Sequence, residues 1–157
     1  VSIPIEIGND NAKWKDVLFS SSRGDWETPP EIFAEWQKEF GFTTDAAANA
    51  ENALCAEYYD DALTQKWRGR VFCNPPYGRL VGSFVKQAWY SVYIWESADL
   101  VMLLLPARTD TRWFHEFCYR ADQRTEIRFL KGRIRFRMKG IAGNPAPFPS
   151  MLVIFRR

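Results

Sequence analysis

A chain of 157 residues holds one domain and little more, and its 46% hydrophobic and 25% charged content supports a real core and excludes a disordered chain. The longest purely apolar run, at 100–105, falls far short of the roughly 20 residues a membrane helix needs, and no charged-then-apolar leader opens the chain, which begins on Val1 as a trimmed chain does. The net charge of +2 hides a split: residues 1–105 carry nine basic against fifteen acidic side chains, residues 106–157 twelve against four, so the last third invites a polyanion.

In chain order, residues 1–24 show no sustained period and read as a flexible arm before a single domain at 25–157. Thr28-Pro29-Pro30-Glu31 has capping-box spacing, with Thr28 as N-cap and Pro29 at the first helical position. The helix that follows carries Ile32, Phe33, Trp36 and Phe40 at helical spacing and stops at Gly41. Phe42 to Ala47 reads as a short buried strand whose carboxyl end, at Asp45, opens a site. Ala46 to Tyr58 is Ala- and Asn-rich and suits a short helix, and Asp60 to Gly69 a connection. Arg70 to Cys73 is a strand that two prolines terminate.

Phe84, Val85, Ala88, Trp89, Val92 and Trp95 fit a second amphipathic helix, and Ala98 to Leu105 a strand buried on both faces. Thr109 or Asp110 caps a third helix bearing Trp113, Phe114 and Phe117. Glu126 to Leu130 and Met151 to Phe155 are the last strands. This alternation is α/β and favours a parallel sheet with helices on both faces. Trp36, Trp89 and Trp113 belong to helix cores. Cys55, Cys73 and Cys118 form no CxxC pair, and His115 with Cys118 is too small a cluster for a metal, so no metal site is expected.

In open α/β sheets ligands bind beyond the carboxyl ends of strands, which makes Asn74-Pro75-Pro76-Tyr77 the leading candidate. The prolines hold the backbone extended so that its carbonyls stay free, Asn74 adds a side-chain acceptor, and Tyr77 adds a flat ring. Such a turn suits a planar amine. A plain proline-terminated strand with a packed tyrosine explains the same four residues.

Here the sequence resembles the amino-group methyltransferases that use S-adenosylmethionine, whose motif is [Asn/Asp/Ser]-Pro-Pro-[Tyr/Phe/Trp], and more closely the small phage-type DNA adenine methyltransferases of the Dam family. Asp25 to Pro29 resembles that family's Thr-Pro opening, Asp45 to Ala48 the end of its first cofactor strand, and Tyr59 to Leu63 the acidic segment before the catalytic strand. Leu103 to Arg108, Gly132 to Phe136 and Ser150 to Phe155 are also similar. The resemblance implies an abbreviated Rossmann-like methyltransferase fold with a mostly parallel sheet flanked by helices. It also implies S-adenosylmethionine as cofactor, bordered by Trp26, Thr28, Pro29, Asp45, Asp61 and Asn74, with Asp60 as the alternate to Asp61. One departure is that 45–50 contains no glycine, where many methyltransferases carry Gly-x-Gly; Ala is small enough for close approach. Helix capping accounts for Thr28, and N-capping for Asp45, without any ligand.

The catalytic set implied is Asn74, Pro75, Pro76 and Tyr77: the Asn74 side-chain oxygen and the Pro75 carbonyl accept the two amine hydrogens, and Tyr77 stacks on the base. The target must be flipped out of double-stranded DNA. Lys131, Arg133, Arg135, Arg137 and Lys139 alternate with apolar residues and Gly132, placing five cations on one face of an extended strand to meet phosphates, with Arg108 and Arg112 as further DNA contacts. A phage or prophage enzyme of this kind works in the cytoplasm of a bacterial host, without a membrane; its oligomeric state stays open. Two rivals remain: a protein glutamine-amide methyltransferase, and a non-catalytic DNA-binding module that keeps the fold.

Overall fold

The computed structural model describes residues 26–120 and 124–157; the arm expected over 1–24 lies outside the described residues. The first element is helix α1, Pro30–Phe40. It begins one residue later than the capping box implied. Pro29 occupies the cap position and the Thr28 hydroxyl makes no capping bond, because it is engaged elsewhere. The helix ends as expected at Gly41, whose φ of 62° is the left-handed conformation glycine adopts without strain. Gln37 then fixes the exit by bonding both the N–H and the carbonyl of Phe42.

Strand β1 is only Thr44–Asp45, shorter than the 42–47 segment expected. The helix expected in 46–58 does not form. Asn49 Oδ1 accepts from the N–H groups of Glu51 and Asn52, and Asn52 Oδ1 from that of Asn49, so side chains take the donors a helix would use. The segment is instead a loop leading to a short strand, β2 (Glu57–Tyr58), and a 3-10 turn at Ala62–Thr64. Strand β3 (Gly69–Cys73), helix α2 (Val81–Tyr93) and strand β4 (Ala98–Pro106) follow near where the apolar patterns put them, except that the helix starts three residues before Phe84 and ends before Trp95, which is exposed. The third helix is a single π-helical turn, Phe114–Cys118, capped by Thr111 rather than Thr109 or Asp110. Strand β5 (Thr125–Phe129), a hairpin of β6 (Arg137–Met138) and β7 (Ile141–Ala142), and strand β8 (Ser150–Arg156) complete the chain.

Six strands form one sheet in the order β2-β1-β3-β4-β8-β5. The first four are parallel, and β8 enters antiparallel between β4 and β5. The helices lie on opposite faces, which the register shows. Phe33 and Trp36 of α1 pack their rings on Phe72, whereas Tyr93 of α2 packs on Phe155, which aligns through Val101 with Val71, on the other face. Trp36 is buried in that core, and Trp89 and Trp113 pack against it. Cys73 is fully buried within β3. From β1 the chain moves to β2 on one side and returns to β3 on the other, so a topological switch point lies between β1 and β3. That is where an open α/β sheet leaves a crevice. No helix is long and apolar enough to cross a membrane.

Candidate active site

Asp45 and Asn74 stand at the carboxyl ends of the two strands that flank the switch point. Asp45 is 4% exposed, and its carboxylate accepts from the N–H groups of Ala47 (3.3 Å) and Leu54 (3.1 Å). It therefore organises the loop that the absent helix would have formed. Burial pushes its acid constant up to about 6, against the pull of those two N–H groups. With no helix after it Asp45 caps none, and the residue lines the crevice.

Asn74 opens the Asn-Pro-Pro-Tyr turn. Its Nδ2 donates to the Trp26 carbonyl (2.7 Å) and to Thr28 Oγ1 (3.1 Å), while its buried Oδ1 meets no partner. A carbonyl can only accept, so the bond to Trp26 fixes which end of the amide is which. An unpaired buried acceptor costs about 1–3 kcal/mol, and such a cost persists where a ligand supplies the missing donor. Among the described residues nothing donates to the Pro75 carbonyl either.

Tyr77 departs from expectation. Its ring is only 7% exposed, its hydroxyl donates to the Leu104 carbonyl (3.4 Å), and full burial pushes its acid constant well up. Phe148 and Phe136 meet it edge-on at 5.2 and 5.9 Å, and Trp26 lies at 6.4 Å. The ring expected to stack on a base is thus buried among other aromatic rings. Phe136 is inward-facing by its alternation with Arg135 and Arg137; nothing in the pattern around Phe148 announced it.

A small crevice runs past Trp26, Thr28, Asp45, Ala47, Leu54 and Asn74. It shares Glu27, Thr28, Asn52 and Leu54 with an outer cleft of about 540 Å³, within the range of small-molecule sites. The outer cleft is walled by Glu27 and Pro30 on one side, Asn49 to Leu54 on another, and Arg137, Lys139 and Gly140 of the hairpin. Glu27, Asn52 and Leu54 carry no sequence signal of their own. Pro29 lies buried beside Thr28. Asp60 and Asp61 follow β2 at the same end of the sheet but line neither cavity; Asp61 precedes the 3-10 turn, exposed, its carbonyl taking the Thr64 N–H.

The cationic strand is corrected in part. Ile134 and Phe136 are buried while Lys131, Arg133, Arg135 and Lys139 are exposed, so the alternation holds as far as Phe136, but Met138 is exposed and only Arg137 and Met138 are paired as strand. The Lys139-Gly140 turn, with φ of 50° and 78°, bends the rest back. Arg137 is not a free cation: it pairs with Glu31 at 2.9 Å and lines the cleft. Arg133 reaches the Ala146 carbonyl. Arg108 and Arg112 are exposed just beyond β4, at the same end of the sheet as Asn74. His115 holds the Thr109 carbonyl, and no metal-binding cluster occurs among the described residues.

Fold and site together define an abbreviated Rossmann-like methyltransferase: a mostly parallel sheet whose crevice is bordered by an Asn-Pro-Pro-Tyr turn with an open acceptor. Residues 16–157 match the model of the DNA N-6-adenine-methyltransferase (Dam) family, and the chain belongs to that family. It is also 36% identical over 97 residues to a DNA N-6-adenine-methyltransferase of Escherichia phage T1. That match covers 58% of this chain and 39% of the relative, so the chain spans about two fifths of the curated protein it matches.

Proposed function

We propose that this protein transfers a methyl group from S-adenosylmethionine to the exocyclic amine of adenine in double-stranded DNA. The carrying observation is the buried, unpartnered Oδ1 of Asn74 at the switch point. An adenine amine is a poor nucleophile because its lone pair is spread into the ring. Acceptors that draw on its hydrogens favour the pyramidal nitrogen of the transition state. Asn74 Oδ1 and the Pro75 carbonyl are such acceptors, held rigid by two prolines. No nucleophilic side chain is needed, and burial holds the Cys118 and Cys55 thiols protonated, pushing both up to about 12, the latter with help from the nearby Asp45 charge.

The cleft suits the cofactor by its chemistry. Glu27 and Glu51 with Arg137 and Lys139 at the mouth match a zwitterionic amino-acid end, and Ala47, Ala53 and Leu54 supply apolar wall. Trp26 and Asp45 border its inner part, as does Thr28, whose hydroxyl is engaged by Asn74, with Pro29 buried beside it, whereas Asp61, with Asp60 as alternate, is assigned the ribose at the end of β2. When bound, the group supplies an electrophilic sulfonium methyl. Arg108, Arg112, Lys131, Arg133, Arg135 and Lys139 are the proposed phosphate contacts. Arg137 is assigned instead to the cleft. A phage relative fits work on DNA in the bacterial cytoplasm.

The test offers tritiated S-adenosylmethionine with adenine-containing duplex DNA and, in parallel, with glutamine-rich protein. Label in DNA adenine supports the reading. Label in the protein alone supports the amide rival, and duplex binding without label supports a non-catalytic module.

A further inference from the structure

We propose that Thr28 is a positioning residue that holds the Asn74 carboxamide in the orientation the Trp26 carbonyl selects. The inference rests on the methyltransferase reading only for its consequence; the orientation itself is a property of the unliganded protein.

A carboxamide presents a donor on one side and an acceptor on the other, with little difference in shape, so an asparagine that must offer its oxygen needs partners that reject the flipped form. Asn74 has two. The Trp26 carbonyl takes one Nδ2 hydrogen at 2.7 Å and Thr28 Oγ1 the other at 3.1 Å. With both hydrogens spoken for, Oδ1 is the atom left over. Flipped, Oδ1 would stand against the Trp26 carbonyl, acceptor against acceptor, and Nδ2 would face the place where amine hydrogens must be received. Thr28 is 5% exposed, so its hydroxyl is not there for solvation. Nor does it cap α1, the role its spacing suggested.

The strap that carries these two acceptors is itself pinned. Glu27, between them, exchanges backbone bonds with Arg137 (2.8 and 2.9 Å), and its carboxylate takes the Gly140 N–H at 2.8 Å. The hairpin thereby holds the strap at the height where both acceptors meet Asn74.

Thr28→Val keeps the shape and removes the acceptor; Thr28→Ser keeps the acceptor. In the unliganded protein labelled with 15N, the Asn74 side-chain resonances, assigned by their loss in Asn74→Ser, should be dispersed and protected in wild type and Thr28→Ser. In Thr28→Val they should move toward free-amide positions and exchange faster. Single-turnover methyl transfer should fall about ten-fold in Thr28→Val, the scale of one hydrogen bond, with cofactor affinity within about two-fold of wild type and the rate restored in Thr28→Ser. Unmoved Asn74 resonances in Thr28→Val overturn the proposal. So does a loss of cofactor affinity that matches the loss of rate, since Thr28 would then be a cofactor contact. Absence of methyl transfer by wild type would sink the functional reading and leave the resonance test of Thr28 standing.

Discussion

The two ends of the sheet treat their cations in opposite ways. Where β8 ends, beside the amino ends of β3 and β4, Arg157 meets Asp99 at 2.6 Å and Arg156 meets Glu126. Further along the sheet, in register with Leu152 and Leu104, Arg128 on β5 binds both Glu39 and Glu126 at 2.8 Å. Its guanidinium holds both carboxyls below the usual range. Beyond the carboxyl ends, Arg108, Arg112, Lys131 and Arg135 make no ion pair among the described residues, and Asn74 keeps an unmet acceptor. Arg156 and Arg157 are paired within the chain, whereas four cations and one amide oxygen beyond the carboxyl ends have no such partner among the described residues. Position relative to the strand ends separates the structural from the available cations better than charge counting does.

The difference is open to attack by substitution. The largest effect should come from replacing Arg108, Arg112, Lys131 and Arg135 together with Gln. Duplex affinity should drop by about two orders of magnitude, and the slope of log affinity against log salt should flatten by roughly 0.9 for each phosphate no longer neutralised. The matching triple replacement of Arg128, Arg156 and Arg157 should leave the slope alone and lower Tm. An equal change in slope from both sets would erase the distinction between the two ends.

Next in size is Gly69→Ala, at the quiet start of β3. A Cβ there would sit 2.6 Å from Thr43 Oγ1 on a backbone with φ of 79°, which should cost about 3 kcal/mol in denaturant unfolding. Asp45 tests the working end. Its raised acid constant means that between about pH 4 and 6 the folded chain keeps a proton the unfolded chain has released. Stability from this group is therefore full below pH 4 and lost as pH rises through about 6, a change of roughly 2–3 kcal/mol. Asp45→Asn should remove that component from Tm measured against pH. Smallest is Arg157→Ala, an exposed pair worth about 0–1 kcal/mol by the same unfolding measurement.

Long apolar periods were legible from the residues alone: α1, α2, β4 and β8 lie within three residues of their patterns, because burial on one or both faces dictates them. Short elements were not. β1 and β2 are two residues each, held by neighbouring strands rather than by their own composition. The 46–58 loop follows from Asn49, Asn52 and Asp45 competing for backbone donors, which Ala content does not reveal. In the site, Asn74 and Asp45 were visible because a strand end and a proline pair mark them. Glu27, Asn52 and the ring of Phe148 join it only through contacts across the chain. Thr28 shows the limit most plainly: its local spacing spells a helix cap, and a partner 46 residues away claims its hydroxyl instead.

The most direct test is quantitative recovery of N6-methyladenine from duplex DNA after one turnover with wild type and with Asn74→Ala, alongside cofactor affinity by calorimetry. The account predicts N6-methyladenine from wild type and a loss of at least about 100-fold in Asn74→Ala, with cofactor binding nearly unchanged. Undiminished methyladenine from Asn74→Ala would contradict it.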